Sequence, residues 1–266
     1  MNYNKKDITS SLNKLKLEKG DSLFIHSNIG FFGILEGAKN IDDICEIFFD
    51  VIFNFIGENG TIFVPSFTYS FPKGEIYDPL EPPKMGAFSD WIFRNSDSIR
   101  SYDSSYSVLG IGNNALRMIE NAPINSFGEK SFFERFHQSG GKIFNLNFDA
   151  GSTLIHYFER LLNVPYRFDK SFNGISLIEG KEVKSKSTIF VRYLSDDSLE
   201  YSSKLFTEIA LKKTLFYNEK LGRGSIGLIS SQDTFTLIKD EIQSAPYFLT
   251  KADMMGIKEP NIIKEK

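Results

Sequence analysis

Apolar side chains recur along this chain in two rhythms. A spacing of three and four residues marks helix faces, and short apolar runs bounded by turn residues mark strands. Ile8, Leu12 and Leu15 share one face of a helix expected over residues 7–17, with Asp7 or Thr9 able to cap it. Gly20-Asp21 turns the chain into a strand, Ser22–His26. Helix Ile41–Ile56 follows, then the turn Gly57–Gly60 and strand Thr61–Pro65. Residues 69–90 are proline-rich and read as a long structureless stretch, a candidate flap over a cleft. A short helix is expected to begin at Asp90–Arg94, with a strand at Val108–Ile111 and helices over Asn113–Asn121 and Phe132–His137. Lys142–Asn147 reads as a buried strand. Val164–Phe172 reads as a loop, and Ile175–Ile178 with Thr188–Leu194 as a hairpin about Gly180. A helix over Ser203–Phe216, a strand from Arg223-Gly224 to Ile229 and a helix from Ser231 or Asp233 to Ser244 complete the pattern, and the charged tail 250–266 is expected to be loosely held. Strands alternating with helices predict an α/β fold: a central mixed β-sheet flanked by helices in three layers, α/β/α, as a single domain over residues 1–266.

Composition narrows the functional classes. A net charge of −3 argues against general nucleic-acid binding, which needs a basic face. The single Cys45 leaves no internal disulfide or cysteine zinc cluster and fits a reducing cytoplasm. The polar N-terminus is unlike a signal peptide, and the apolar run Ile47–Ile56 is too short and interrupted to span a membrane, so a cytoplasmic protein without membrane insertion is expected. The count of 26 phenylalanines is high; most are expected in the core, and a few exposed ones would suit a homo-oligomer contact.

Candidate chemistry centres on Gly151-Ser-Thr-Leu-Ile-His156-Tyr-Phe-Glu159. Ser152 and Thr153 suit the first turn of a helix, and His156 and Glu159 lie three apart, neighbours on one helix face. A histidine can take and return a proton near neutral pH, and a carboxylate beside it orients the ring. The spacing suits a half-buried histidine beside a solvent-facing glutamate equally well, and the residues alone leave both readings open. With three histidines in the chain and no second ligand motif, a metal site there is not expected. Asn28 to Gly37 is a glycine-punctuated loop between a strand and a helix, an arrangement that can meet a phosphate or serve as a plain tight turn.

Thr153-x-x-His156-x-x-Glu159 after a strand resembles the hallmark of the aminoglycoside 3-N-acetyltransferase family. Four further segments are similar and in order: Gly20–Asn28, Gly60–Thr68, Arg100-Ser101 to Ser107, and Phe127-Gly128 to Ser131. The resemblance implies transfer of acetyl from acetyl-CoA, as cosubstrate and without a metal, to an amine on a sugar. It carries His26, Ser27, Asn28 and Gly33 over to the CoA site, with Asn28 in place of the usual serine. Thr68 and Ser107 come across as CoA or oxyanion contacts. His156 becomes the base, supported by Glu159 or by an acid near Asp196 and Asp197. At Asp103-Ser104 the family usually has His-Pro, which makes Asp103 a candidate acceptor contact of altered geometry.

Past the histidine, Arg167 and Lys170 lie between Tyr166, Phe168 and Phe172. Cations among aromatics suit a diphosphate and a stacked base or sugar. The segment resembles family members from cell-surface polysaccharide pathways, so the expected acceptor is a nucleotide-linked amino-deoxysugar, dTDP- or UDP-linked; the same two cations would also suit the phosphates of CoA. The alternatives are an aminoglycoside N-acetyltransferase conferring resistance, a Ser-His-Asp hydrolase using the same histidine, and a non-catalytic sugar-nucleotide-binding relative.

Overall fold

The computed structural model describes residues 2–264; positions 1, 265 and 266, including the end of the expected tail, lie outside it. The chain begins with β1 (Asn2–Tyr3), α1 (Lys5–Lys14), β2 (Ser22–Ser27), β3 (Ile34–Leu35), α2 (Ile41–Ile56) and β4 (Thr61–Pro65). Then come α3 (Ala87–Asn95), β5 (Ile99–Arg100), β6 (Val108–Gly112), α4 (Ala115–Ile119), α5 (Phe132–Gln138), β7 (Lys142–Leu146) and α6 (Ile155–Leu161). A long hairpin, β8 (Arg167–Ile178) and β9 (Lys181–Arg192), leads to α7 (Lys204–Lys212), β10 (Tyr217–Leu221), β11 (Gly224–Ser230), α8 (Ser231–Ser244) and α9 (Lys251–Met254).

Seven strands form one mixed sheet in the order β10-β11-β7-β2-β4-β6-β5. Its centre, β7-β2-β4, is parallel, and its flanks are antiparallel. The central strands are apolar on both faces, as strands covered by helices on both sides must be. Leu23, Ile25, Ile62, Val64, Phe144 and Leu146 face α1, α2 and α3, while Phe24, Phe63 and Ile143 face the other layer, which includes α5, α6 and α8. These are the three layers that the alternation of elements predicts. Among the described residues no helix is long and apolar enough to cross a membrane.

Several local expectations are corrected. The segment before the hairpin is strand, not loop: β8 starts at Arg167 and pairs with β9 through Arg167↔Arg192. Residues 69–90 are anchored rather than a free flap: Tyr77 is fully buried, brackets β8 through bonds to the backbone of Ile175 and Leu177, and gives its hydroxyl to Ser101 O. The expected helix Ser203–Phe216 ends early at Lys212, Thr214 adopts φ +56, and Tyr217–Leu221 form the edge strand β10. Gly222, also at positive φ, turns β10 into β11 where any Cβ would strike the carbonyl of Phe32. The tail is tied down, with Asn261 N–H on Asp196 and Ile263 N–H on Ser195 Oγ.

Candidate active site

The site lies beyond the carboxyl ends of the adjacent parallel strands β2 and β7, where open α/β sheets leave a crevice. His26 sits opposite Asn145 in the pairing register. Asn145 is fully buried, and its amide donates to the carbonyls of Asp149 and Gly151, folding the chain tightly after β7. Asp149 in turn accepts the Gly151 N–H at 2.8 Å and the Ser203 hydroxyl. Ser152 Oγ accepts the Leu154 N–H at 3.2 Å, one of the caps expected at this turn. Thr153 behaves differently. Its N–H donates to His26 Nε2 at 3.2 Å, and its hydroxyl lies 3.3 Å from the same nitrogen. An amide N–H can only donate, so Nε2 carries the lone pair and a neutral His26 bears its proton on Nδ1. Burial pushes His26 down to about 4, which keeps it neutral at pH 7.

One helical turn on, α6 brings His156 Nδ1 to 2.6 Å from Glu159 Oε2. Glu159 is fully buried. Its Oε1 accepts the Tyr166 hydroxyl at 2.8 Å, and Arg167 Nε makes a charge contact with Oε2 at 2.9 Å. Arg167 also donates to Phe190 O at 3.1 Å, and its side chain is only 7% exposed. The bidentate pair Arg160–Asp169 fastens β8 to α6 and so holds Arg167 in place. Burial alone would raise the Glu159 carboxyl, but Arg167, His156 and Tyr166 outweigh it and hold it below the usual carboxylate range. Burial and the Arg167 charge lower His156 against the pull of Glu159. The neutral ring therefore gives its Nδ1 proton to Glu159 and keeps a lone pair on Nε2. Phe127 and Tyr201 meet it edge-on at centroid distances of 5.8 and 5.5 Å. His156 opens into a cavity of about 520 Å³ whose walls include His26, Phe148, Asp149, Thr153, Tyr201 and Ser203.

The other sequence candidates are scattered by the fold. Ser27, Asn28 and Gly33 lie at and beyond the end of β2, Asn28 exposed with its N–H on Leu146 O. Thr68 and Ser107 are buried and turned away from the His156 cavity. Thr68 is bonded to Ser70, and Ser107 accepts from Ser66 and Arg100 while donating to Ser66 O. The hydroxyls beside His156 belong instead to Ser152, Thr153 and Ser203. Asp103 receives the N–H groups of Ser105 and Tyr106 and the Ser126 hydroxyl on one oxygen, a turn-holding role, and burial raises its carboxyl. It lines a recess of about 910 Å³ along the hairpin that contains none of the three histidines. Asp197 is exposed in a 3-10 turn; the acid on His156 is Glu159. Tyr166 is fully buried beneath Glu159 rather than presenting a stacking face. Lys170 is exposed near the Phe172 ring, and it lines with Arg167, Phe168, Phe172 and Arg192 a second cavity of about 390 Å³ that meets the His156 cavity at Tyr201. Asp149, Tyr201 and Ser203 carried no sequence signal beyond turn chemistry. Among the described residues no group of three or more His, Cys, Asp or Glu is placed to hold a metal ion.

A mixed α/β sheet carries a histidine–carboxylate pair at the end of its parallel centre, an arrangement able to hold and pass a proton. The family model described as aminoglycoside 3-N-acetyltransferase matches residues 24–243, and the chain belongs to that family. Aminoglycoside N(3)-acetyltransferase III from Salmonella sp is 23% identical over 184 residues, 61% of this chain. The match spans only 62% of that relative's length. Among solved structures, AAC-VIa bound to sisomicin has a TM-score of 0.76 at 19% identity, covering 92% of this chain and 98% of its own. AAC-IIIb in its binary complex with CoASH has a TM-score of 0.73 at 17% identity, covering 92% and 97%. Both share the fold.

Proposed function

We propose that the chain is an acetyl-CoA-dependent N-acetyltransferase acting on an amine of an aminoglycoside-type sugar. The observation that carries the reading is the 2.6 Å His156–Glu159 pair opening into a cleft walled by the Asp149 carboxylate and by no lysine or arginine. A polycationic acceptor suits that wall. The nucleotide-linked acceptor loses part of its support because Arg167, one of its two expected diphosphate partners, is buried against Glu159. The names of the matched relatives favour the aminoglycoside class, and the CoASH-bound fold neighbour supports acetyl-CoA as donor.

The chemistry follows from the tautomer. Glu159 holds the Nδ1 proton, so His156 Nε2 accepts a proton from the acceptor amine as its nitrogen bonds to the acetyl carbonyl carbon. The carbonyl electron pair moves to oxygen, and the Thr153 hydroxyl, which lines the same cavity, is the donor assigned to meet that charge. Collapse breaks the carbon–sulfur bond. The proton on Nε2 passes to the leaving sulfur, yielding amide and free thiol.

The test is thiol release from acetyl-CoA with kanamycin-like amines, with nucleotide-linked amino sugars, and with no acceptor. Release only in the presence of an amine, best with aminoglycosides, is expected. His156→Asn should lower it by a factor on the order of 10² to 10⁴ with little change in acetyl-CoA affinity. Near-normal turnover of His156→Asn at pH 7 removes the base, efficient use of nucleotide-linked sugars alone removes the acceptor class, and ester hydrolysis without CoA replaces transfer with a hydrolase.

A further inference from the structure

The carboxylate of Glu159 serves three partners with two oxygens. Tyr166 takes Oε1 alone, while His156 at 2.6 Å and Arg167 at 2.9 Å crowd onto Oε2. An ionised, buried carboxylate at that distance would by itself stabilise an imidazolium strongly. Such a ring would arrive at the reaction already carrying the proton it must accept. Arg167 counters this in two ways. It shares the oxygen that would otherwise serve the ring alone, and it places a permanent positive charge beside any proton that the ring gains.

We propose that Arg167 is a positioning residue that sets the basicity of His156 through this shared oxygen, keeping the ring unprotonated near neutral pH. The inference rests on the reading of His156 as the base. The groups facing His156 are few enough to name: Glu159 on its own helix, Tyr166 and Arg167 where β8 begins, Tyr201 from the segment before α7, His26 from β2 and Asp149 after β7. Of these only Arg167 carries a permanent positive charge. Its bond to Phe190 O and the Arg160–Asp169 pair at the start of β8 fix the guanidinium independently of His156, which suits a tuning role. An arginine that served only to hold β8 in place would leave the ring's midpoint unchanged on loss of its charge.

The protonation midpoint of His156 distinguishes the two. It is read by nitrogen-15 NMR titration of the three histidines, with His156→Asn assigning the signal. Arg167→Met should raise the midpoint by about one pH unit, the shift a single close charge commonly produces. Arg167→Lys should leave it near the wild-type value. Glu159→Gln, which leaves the guanidinium unopposed, should lower it. If Arg167→Met fails to fold, the double variant Arg167→Met/Glu159→Gln serves instead, and its midpoint should lie above that of Glu159→Gln alone. A midpoint that is unchanged or lower on loss of the arginine overturns the inference. The titration needs no turnover, so its outcome stands apart from whether acetyl transfer is found; where transfer is found, the acid limb of kcat/KM should move with the midpoint.

Discussion

Replacing Glu159 by glutamine tests the centre of the site most sharply, because the substitution keeps shape and removes charge. The carboxylate is fully buried and serves His156, Tyr166 and Arg167 at 2.6, 2.8 and 2.9 Å. Glutamine offers one acceptor and one donor in their place. If the amide nitrogen faces His156, Nδ1 must become the acceptor and the proton moves to Nε2, where no base can act. If the amide oxygen faces His156, Tyr166 must accept rather than donate, and Arg167 still loses its counter-charge. Breaking a buried charge pair by removing one member costs about 3–5 kcal/mol. The surviving bond from Arg167 to Phe190 O offsets part of this, so the low end is expected. For a chain of this size that corresponds to a fall in Tm of roughly 6–12 °C. Turnover should fall by a factor on the order of 10² to 10⁴. The sign with pH follows from the lowered carboxyl. Stability from ionised Glu159 is complete above its unfolded pKa and is lost as pH falls through the still lower folded value. The Tm gap between wild type and Glu159→Gln should therefore be widest near pH 7 and close in strong acid. Differential scanning calorimetry across pH, with thiol release at pH 7.5, measures both quantities. Turnover within about threefold of wild type, or a Tm gap that does not shrink in acid, would refute the reasoning.

His26 should destabilise the fold in mild acid: burial holds its folded value at about 4, so the unfolded chain binds the extra proton first. Stability should fall by up to about 3 kcal/mol between pH 6.5 and 4, and His26→Gln should flatten that slope in denaturant melts. Thr153→Val removes the hydroxyl beside His156 while leaving the N–H on His26, and should lower kcat by roughly 10- to 100-fold at little cost in Tm; Thr153→Ser should restore most of the rate, and a full rate in the valine variant excludes the hydroxyl from the reaction.

What was legible in the sequence was mostly local. Helix Ile41–Ile56 and strand Thr61–Pro65 fall where the apolar runs and the Gly57–Gly60 turn put them, because each is decided by its own residues. The His156–Glu159 contact was legible for the same reason, being a matter of helical spacing. Strand β10 was not, since Tyr-Asn-Glu-Lys-Leu is a polar edge strand whose only apolar demand comes from one side. Val164–Phe172 reads as a loop from its own residues, but pairing with β9 makes it a strand from Arg167 on. The His26–Thr153 contact joins residues 127 apart in the chain. No local pattern encodes it, only the parallel pairing of β2 with β7. Thr68 and Ser107 have the right side chains in a plausible order, yet Ser70 engages the first and Ser66 with Arg100 the second, which spacing cannot reveal.

The β8–β9 hairpin stands outside the seven-stranded sheet as a separate two-stranded unit. Yet its first residue is Arg167. In this protein that separate unit is bolted, at its root, to the carboxylate beside His156. Exchanging hairpins between relatives to alter substrate range would therefore also retune proton affinity at the reacting centre. Chimeras should show their altered selectivity at a displaced pH optimum, and a graft joined downstream of Arg167 should escape that penalty.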